Sequence, residues 1–202
     1  MRAALQYHAH QPHQPAAEFI YPSPYIPRHD ALAAYARKAF PAKRPLLQAC
    51  RALMERIHQD CRYESASTDI HTPVLQALEQ RKGVCQDFAH IMIGCLRSLG
   101  LPARYVSGYL LTQPPPGKPR LVGADASHAW VSVPYAGLWH DFDPTNNHCG
   151  THRPSEEYVT LAVGRDFGDV SPLRGVIHGG GGHTLKVAVT VAPEDEFEAL
   201  LG

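Results

Sequence analysis

The chain has 202 residues, of which 44% are hydrophobic and 19% are charged, values typical of one packed globular domain. Its 19 basic and 19 acidic residues give a formal net charge of zero, which disfavours nucleic acid and anionic membranes as partners. The sequence contains no run of about 18 apolar residues, so no membrane span is predicted. The N-terminal segment lacks an apolar core, so no signal peptide is predicted. The five cysteines, an odd number at wide spacing, do not indicate a disulfide framework, so a cytoplasmic location is predicted.

Helices come first among the predicted elements. Residues 1–27 contain five prolines and predict an extended lead-in, followed by a single domain over residues 28–202. A short helix is predicted from Asp30 to about Phe40. A second, from Pro45 to Cys61, has apolar residues at intervals of three and four, the spacing of an amphipathic helix. A third helix begins at Thr72–Pro73.

A fourth helix and a set of strands complete the predicted fold. The helix starts near Cys85, shortly after Gly83, and ends before Gly100 and Pro102. Apolar and β-branched runs predict strands at 103–111, 127–133, 138–143, 159–163 and 185–191. Because helices precede strands along the chain, the sequence predicts an α+β fold with an antiparallel sheet.

Cys85 is the candidate nucleophile. It occupies the first turn of the fourth predicted helix, where the helix dipole and the unpaired N–H groups favour a thiolate. Its place three residues before Phe88 directs the side chain toward the packed face of the helix. A small, buried and unreactive cysteine is the alternative interpretation when this residue is taken alone.

His128 and Asp143 are the candidate partners of this thiol. They lie in two strand-like segments that are joined by a predicted four-residue loop, Pro134 to Gly137. If Val133 pairs with Leu138, His128 lies directly opposite Asp143. A carboxylate in that place accepts a hydrogen bond from one imidazole nitrogen and leaves the other nitrogen for a nucleophile. The pattern therefore predicts a nucleophile, a base and an orienting acid for acyl transfer.

Three separated blocks carry a family resemblance: GVCQDFAHIMIGCLRSLGLPARYVSGYL, DASHAWVSV and WHDFDPTN. With them, over about residues 21–191, the chain resembles the transglutaminase-like superfamily of papain-fold cysteine enzymes, and specifically its bacterial branch. The resemblance implies Cys85 as the nucleophile, His128 as the base and Asp143 as the orienting acid, on a helix packed against an antiparallel sheet. Members of this branch often carry an additional N-terminal β-rich domain, whereas about twenty residues precede the resemblance here.

The oxyanion hole needs two donors. The backbone N–H of Cys85 is predicted as the first, because the helix N-terminus directs it toward the site. Gln80, five residues upstream, is the candidate for the second donor, and a merely solvated side chain is its alternative interpretation. Tyr109 is a candidate for lining the cleft, although a tyrosine of the core is the preferred interpretation.

No metal or other cofactor is predicted. A zinc site is the alternative that the thirteen histidines suggest, with His148, Cys149 and His152 joined by His178 or His183. These residues lie among loop formers, and the chain lacks both Cys-x-x-Cys and His-Glu-x-x-His, so the metal hypothesis is set aside.

The sequence as a whole predicts a cysteine enzyme that acts on amide bonds of a peptide or protein substrate through a thioester. Water as the acceptor makes it a protease or amidase, which we favour because water is always present and no amine site is evident. An amine acceptor makes it an acyl transferase. A peptide-binding module that keeps the fold without turnover is the third interpretation, since a fold alone does not establish activity.

Overall fold

In the computed structural model, helices pack against one main sheet. The structure describes residues 14–65, 68, 72–114, 116, 120–123, 125–171, 179 and 187–201. The first four helices are α1 (Asp30–Arg37), α2 (Leu46–Asp60), α3 (Val74–Gln80) and α4 (Cys85–Ser98). Two short strands, β1 (Arg62–Tyr63) and β2 (Lys82–Gly83), form a parallel pair among them. Among the described helices, none has the length and apolar character needed to cross a membrane.

A five-stranded antiparallel sheet follows the helices. Its strands are β3 (Arg104–Leu110), β4 (Ser127–Tyr135), β5 (Leu138–Asp143), β6 (His148–Thr151) and β7 (Tyr158–Gly164), in the spatial order β6-β5-β4-β3-β7. The short helices α5 (Phe167–Val170) and α6 (Glu194–Leu201) come last. The predicted α+β fold is therefore confirmed, whereas the short elements β1, β2, β6, α5 and α6 were not predicted.

Helix α4 is the centre of the core. Every residue from Asp87 to Arg97 is buried, and α4 contacts α1, α2 and α3 as well as β3 and β4. Its apolar positions, among them Phe88, Met92 and Leu96, belong to one continuous cluster that includes residues of the sheet. A helix buried on nearly all sides holds its first residue in a fixed place, which matters for Cys85.

The lead-in differs from the extended segment that was predicted for it. Its described part includes a 3₁₀ helix, Pro15–Ile20, and Phe19 and Ile26 are buried. Proline is well tolerated in the first turn of a helix, so Pro15 starts this element rather than preventing it. The domain boundary at residue 28 stays a prediction, although the described lead-in packs on the core.

The hairpin between β4 and β5 has a tighter turn than the sequence predicts. Tyr135 pairs with Leu138 across a two-residue turn, Ala136–Gly137, with φ angles of 51° and 81°. The predicted four-residue loop is therefore wrong. The sequence hides the turn because Pro134 resembles a strand end and alanine is unusual at positive φ, where such turns prefer asparagine or glycine.

The register of the hairpin shifts accordingly. Val133 pairs with His140 rather than with Leu138, a displacement of two residues from the prediction. Because side chains alternate between faces with a period of two, an even displacement leaves every side chain on its predicted face. Residues predicted to lie directly opposite each other are diagonal neighbours instead.

The predicted strand at 185–191 is not present in its described part. Residues 187–191 lie outside any strand, and residues 185 and 186 lie outside the described residues. The segment instead pairs locally with Asp125, whose N–H donates to Val189 O at 3.0 Å and whose Oδ2 accepts from Val191 N–H at 2.7 Å. A single loop residue thus satisfies backbone groups that the prediction assigned to a sheet.

Candidate active site

Asp87 fixes the start of the cysteine helix. Its Oδ2 accepts from the N–H of Val84, the residue before the helix, at 2.8 Å, and from the hydroxyl of Thr68 at 2.7 Å. A Cβ atom on Gly83 would lie 2.5 Å from the same oxygen, so only glycine leaves room for this carboxylate to fold back. The carboxylate also complements the positive end of the helix dipole.

Cys85 is the first residue of α4 and is half-buried against the main core. The first intrahelical bond runs from Phe88 N–H to Val84 O at 3.2 Å. The N–H of Cys85 precedes this bond, so the bonds along the helix do not use it, and its role as an oxyanion donor stays a prediction.

Gln80, the candidate second donor, is the last residue of α3 and is exposed. Among the hydrogen bonds of the described residues, none joins Gln80 to Cys85. Its role therefore stays a prediction. Tyr109 is half-buried on β3, where it pairs with Ser127 and Val159.

His128 and Asp143 are brought together by the sheet. His128 Nε2 and Asp143 Oδ2 are 2.7 Å apart, and both side chains are buried, with exposed fractions of 8% and 0%. The two residues are diagonal rather than opposite, because the pairing of Val131 with Phe142 places Asp143 level with Trp130, two residues from His128 along β4. Diagonal neighbours on one face of a sheet remain within reach of long side chains, which explains why the contact survives the register difference.

Asp141, the carboxylate two residues earlier on the same strand, has a different partner. Its Oδ2 accepts from Trp130 Nε1 at 2.9 Å. Burial raises the pKa of Asp141 against the lowering effect of its hydrogen bonds. The His128 partner is therefore Asp143, while Asp141 holds the neighbouring indole.

Asp143 is held by several hydrogen bonds. Its Oδ1 accepts from the N–H of Thr145 at 2.8 Å and of Asn146 at 3.3 Å. Its Oδ2 accepts from Asn146 Nδ2 at 2.8 Å and from the Tyr158 hydroxyl at 2.6 Å, in addition to His128. Burial alone would raise the pKa of Asp143, but these bonds and the nearby imidazole lower it.

The imidazole of His128 lies between an acid and a thiol. Burial alone would lower its pKa, but hydrogen bonds and charge interactions with Asp143 and Cys85 outweigh burial and raise the pKa of His128 to about 9. Because Nε2 faces Asp143, Nδ1 is the nitrogen left for the thiol. A histidine in this setting is protonated near neutral pH and stabilises a negative charge on sulfur.

Aromatic rings enclose one side of this histidine. The Trp130 ring is stacked at 6.1 Å between centroids, and the Tyr158 ring meets it edge-on at 6.0 Å. Gly108 makes room for this arrangement, since a Cβ atom there would lie 2.6 Å from the Trp130 ring. The two rings thereby limit how the imidazole can turn.

Sequence reasoning missed Asn146 and Tyr158. A signal for Asn146 exists, because Asp-Pro-Thr-Asn is typical of a turn in which the aspartate binds backbone N–H groups two and three residues later. Tyr158 has no local signal, as it lies fifteen residues after Asp143 on a different strand. Among the described residues, histidine, cysteine and acidic side chains form no group of three able to bind a metal ion, and His178 and His183 lie outside them.

Comparisons with known proteins give relatives of unknown activity. An uncharacterised protein of Mycobacterium tuberculosis is 47% identical over 170 residues, which are 81% of this chain and 53% of that protein. An uncharacterised protein of Mycobacterium leprae is 37% identical over 180 residues, 86% of this chain and 60% of that one. The chain therefore spans about half the length of these curated relatives.

A solved structure and a family match are more informative about the fold. The crystal structure of a candidate cysteine protease from Cytophaga hutchinsonii is similar with a TM-score of 0.63 and 30% identity, covering 76% of this chain and 48% of that one. Residues 33–144, a range that contains Cys85, His128 and Asp143, match the sequence pattern of the transglutaminase-like superfamily. Because this match spans more than half of the chain and the fold agrees with it, the chain belongs to the transglutaminase-like superfamily.

Proposed function

We propose that the chain is a cysteine hydrolase of peptide or protein amide bonds, with Cys85 as nucleophile, His128 as general acid and base, and Asp143 as the residue that orients His128. The observation that carries the proposal is the position of His128, which interacts with the thiol and with a fully buried carboxylate at once. This arrangement has the roles that covalent acyl transfer requires.

The first half-reaction forms a thioester. The Cys85 sulfur attacks the amide carbonyl carbon, and the oxygen takes up negative charge near the N–H of Cys85 at the start of α4. The C–N bond then breaks, and protonated His128 gives its proton to the departing amine. Asp143 keeps the imidazole in the orientation that serves the sulfur throughout this step.

The second half-reaction releases the acid. Neutral His128 takes a proton from water as the water oxygen attacks the thioester carbon. The C–S bond breaks, the sulfur regains its place beside the imidazolium, and a carboxylic acid leaves. An amine can replace water in this step by the same chemistry, so the acceptor has to be tested directly.

Similarity to known proteins supports the reaction class. The structural neighbour from Cytophaga hutchinsonii is described as a candidate cysteine protease, and at 30% identity its likeness extends beyond the general fold. A peptide or protein as the substrate is likewise our proposal for this chain.

The test is incubation with a peptide library, with and without an added primary amine, followed by mass spectrometry. We expect cleaved peptides from the unaltered chain and none from Cys85→Ala. Cys149→Ala is the matched control, because Cys149 is also half-buried against the core yet lies on β6. Amine-linked products in place of cleaved ones would reassign the chain as a transferase, and bound but unaltered peptides would make it a binding module.

A further inference from the structure

We propose that Tyr158 is a positioning residue that donates a hydrogen bond to the Asp143 oxygen that His128 also uses, and so weakens the attraction of Asp143 for the proton of His128. The inference rests on the proposed function, because the strength of this attraction matters only if His128 transfers protons. Tyr158 lies outside the range matched by the superfamily, which ends at residue 144.

The geometry places three donors on one oxygen. Asp143 Oδ2 is 2.7 Å from His128 Nε2, 2.6 Å from the Tyr158 hydroxyl and 2.8 Å from Asn146 Nδ2. Tyr158 is 3% exposed and Asp143 is fully buried, so water does not compete strongly for these bonds. The oxygen that they share is the shortest link between the tyrosine hydroxyl and the histidine, since the route through Asn146 Nδ2 has distances of 3.5 Å to the hydroxyl and 3.4 Å to His128 Nε2.

The direction in which the Tyr158 hydrogen bond changes the acidity of protonated His128 can be predicted. A hydrogen bond to the ionised form of a carboxylate favours that form and makes the carboxylate a weaker base. A weaker base attracts the proton of a neighbouring imidazolium less strongly. Tyr158 therefore makes protonated His128 a better proton donor toward a departing amine, while Asp143 stays ionised.

Other titratable groups near His128 could also change its pKa. Cys85 approaches from α4 and Asp143 from β5, while β3 contributes the uncharged Gly108 directly opposite His128. Beyond them, His148 of β6 has its Nδ1 3.4 Å from the Tyr158 hydroxyl, so its protonation has to be followed separately.

The experiment is an NMR titration of the His128 ring in a Cys85→Ala background, where the coupled thiol is absent. We expect Tyr158→Phe, which keeps the aromatic ring, to raise the pKa of His128 by about 0.5 to 1. Tyr35→Phe is the matched control, because the Tyr35 hydroxyl donates to the Asp60 carboxylate at 2.9 Å on α2. It removes the same kind of bond and should leave His128 unchanged.

An unchanged or lowered pKa of His128 in a folded Tyr158→Phe variant would overturn the proposal. If that variant does not fold, Asn146→Ala removes another donor to the same oxygen, at 2.8 Å, together with a longer contact of 3.4 Å to His128 Nε2, and a rise of the same sign is expected from it. The titration of His148 in the same spectra separates its protonation from that of His128. The titration needs no turnover, so its result is independent of the cleavage assay. A raised His128 pKa without peptide cleavage refutes the proposed function but not the effect of Tyr158. Cleavage without the raised pKa refutes the effect of Tyr158 but not the proposed function.

Discussion

At the scale of single residues, Cys85 differs from the other cysteines in what surrounds its sulfur. Burial raises the pKa of Cys50 to about 12, and burial also raises the pKa of the fully buried Cys95. Desolvation disfavours the charged form of any thiol, so these two cysteines are poor nucleophiles. Cys85 instead stands half-buried at a helix N-terminus next to an imidazole that is protonated below about pH 9.

Alkylation measures this difference directly. At pH 6 we expect iodoacetamide to modify Cys85 about tenfold faster than Cys149, because protonated His128 and the helix dipole favour a negative sulfur. Cys149 is the proper reference, since it is half-buried too. The modified residue is identified by peptide mass spectrometry over time. His128→Asn should remove most of the advantage, and equal rates for the two cysteines in the unaltered chain would refute activation of Cys85.

The candidate site could be predicted from the sequence as far as residue types carry chemistry. Cys85, His128 and Asp143 are recognisable because a thiol, an imidazole and a carboxylate each have a distinct role in acyl transfer. Tyr158 and Asn146 are not recognisable in that way, because tyrosine and asparagine serve many purposes. Their importance comes from where the chain returns in space to Asp143, which only the structure gives.

At the scale of elements, helix positions were easier to predict than strand pairing. The spacing of apolar residues gives α2 and α4 nearly to the residue, since helical periodicity is a local property. The predicted pairing of β4 with β5 was wrong by two residues, because the turn depends on the positive φ of Ala136, which the sequence pattern does not reveal. An even displacement keeps the faces, so the His128 contact with Asp143 was preserved in spite of the wrong register.

The sheet around His128 depends on the absence of a side chain at Gly108. A Cβ atom there would lie 2.0 Å from the carbonyl oxygen of Val159 and 2.6 Å from the Trp130 ring. Backbone and a buried indole cannot move away easily, so we expect Gly108→Ala to lower the free energy of unfolding by about 2–3 kcal/mol. Urea denaturation followed by circular dichroism measures this change.

Gly137→Ala is the control for this substitution. Gly137 has a positive φ of 81°, but among the described residues no atom beyond its two chain neighbours lies within 4 Å of the place that an added methyl group would take, so the cost is backbone strain of about 1 kcal/mol. A smaller loss for Gly108→Ala than for Gly137→Ala would contradict the crowding argument. Such a result would mean that β3 and β7 can separate at this point without cost.

At the scale of the whole molecule, one buried arginine joins distant parts of the chain. Arg97 of α4 is 1% exposed and donates to the carbonyl oxygens of Phe19, Ala103 and Arg165 at 2.7–3.2 Å, and to the Ser23 hydroxyl at 3.1 Å. These partners belong to the lead-in, to the chain just before β3 and to the chain just after β7. Burial lowers the pKa of Arg97 to about 10, so it remains charged at neutral pH.

Replacing this arginine by lysine tests how much the stability of the fold depends on its hydrogen bonds. A lysine keeps the charge but ends in a single nitrogen, which cannot reproduce the planar fork of the guanidinium, so some of these hydrogen bonds are lost. We therefore expect Arg97→Lys to lower the free energy of unfolding by about 3 kcal/mol. The lead-in should also be cut sooner by protease, because Phe19 and Ser23 lose their bonds to α4.

Arg51→Lys is the matched substitution on the surface of the same molecule. Arg51 is paired with Glu55 one helical turn away, and 64% of its side chain is exposed, so the change should cost less than about 0.5 kcal/mol. Thermal and urea unfolding of both variants, with limited proteolysis of the native state, gives the comparison. Equal stability of the two variants would show that the hydrogen bonds of Arg97 do not hold the lead-in on the core. A large loss confined to Arg97→Lys would show that α4, besides carrying Cys85, fastens the lead-in and the ends of β3 and β7 to one core.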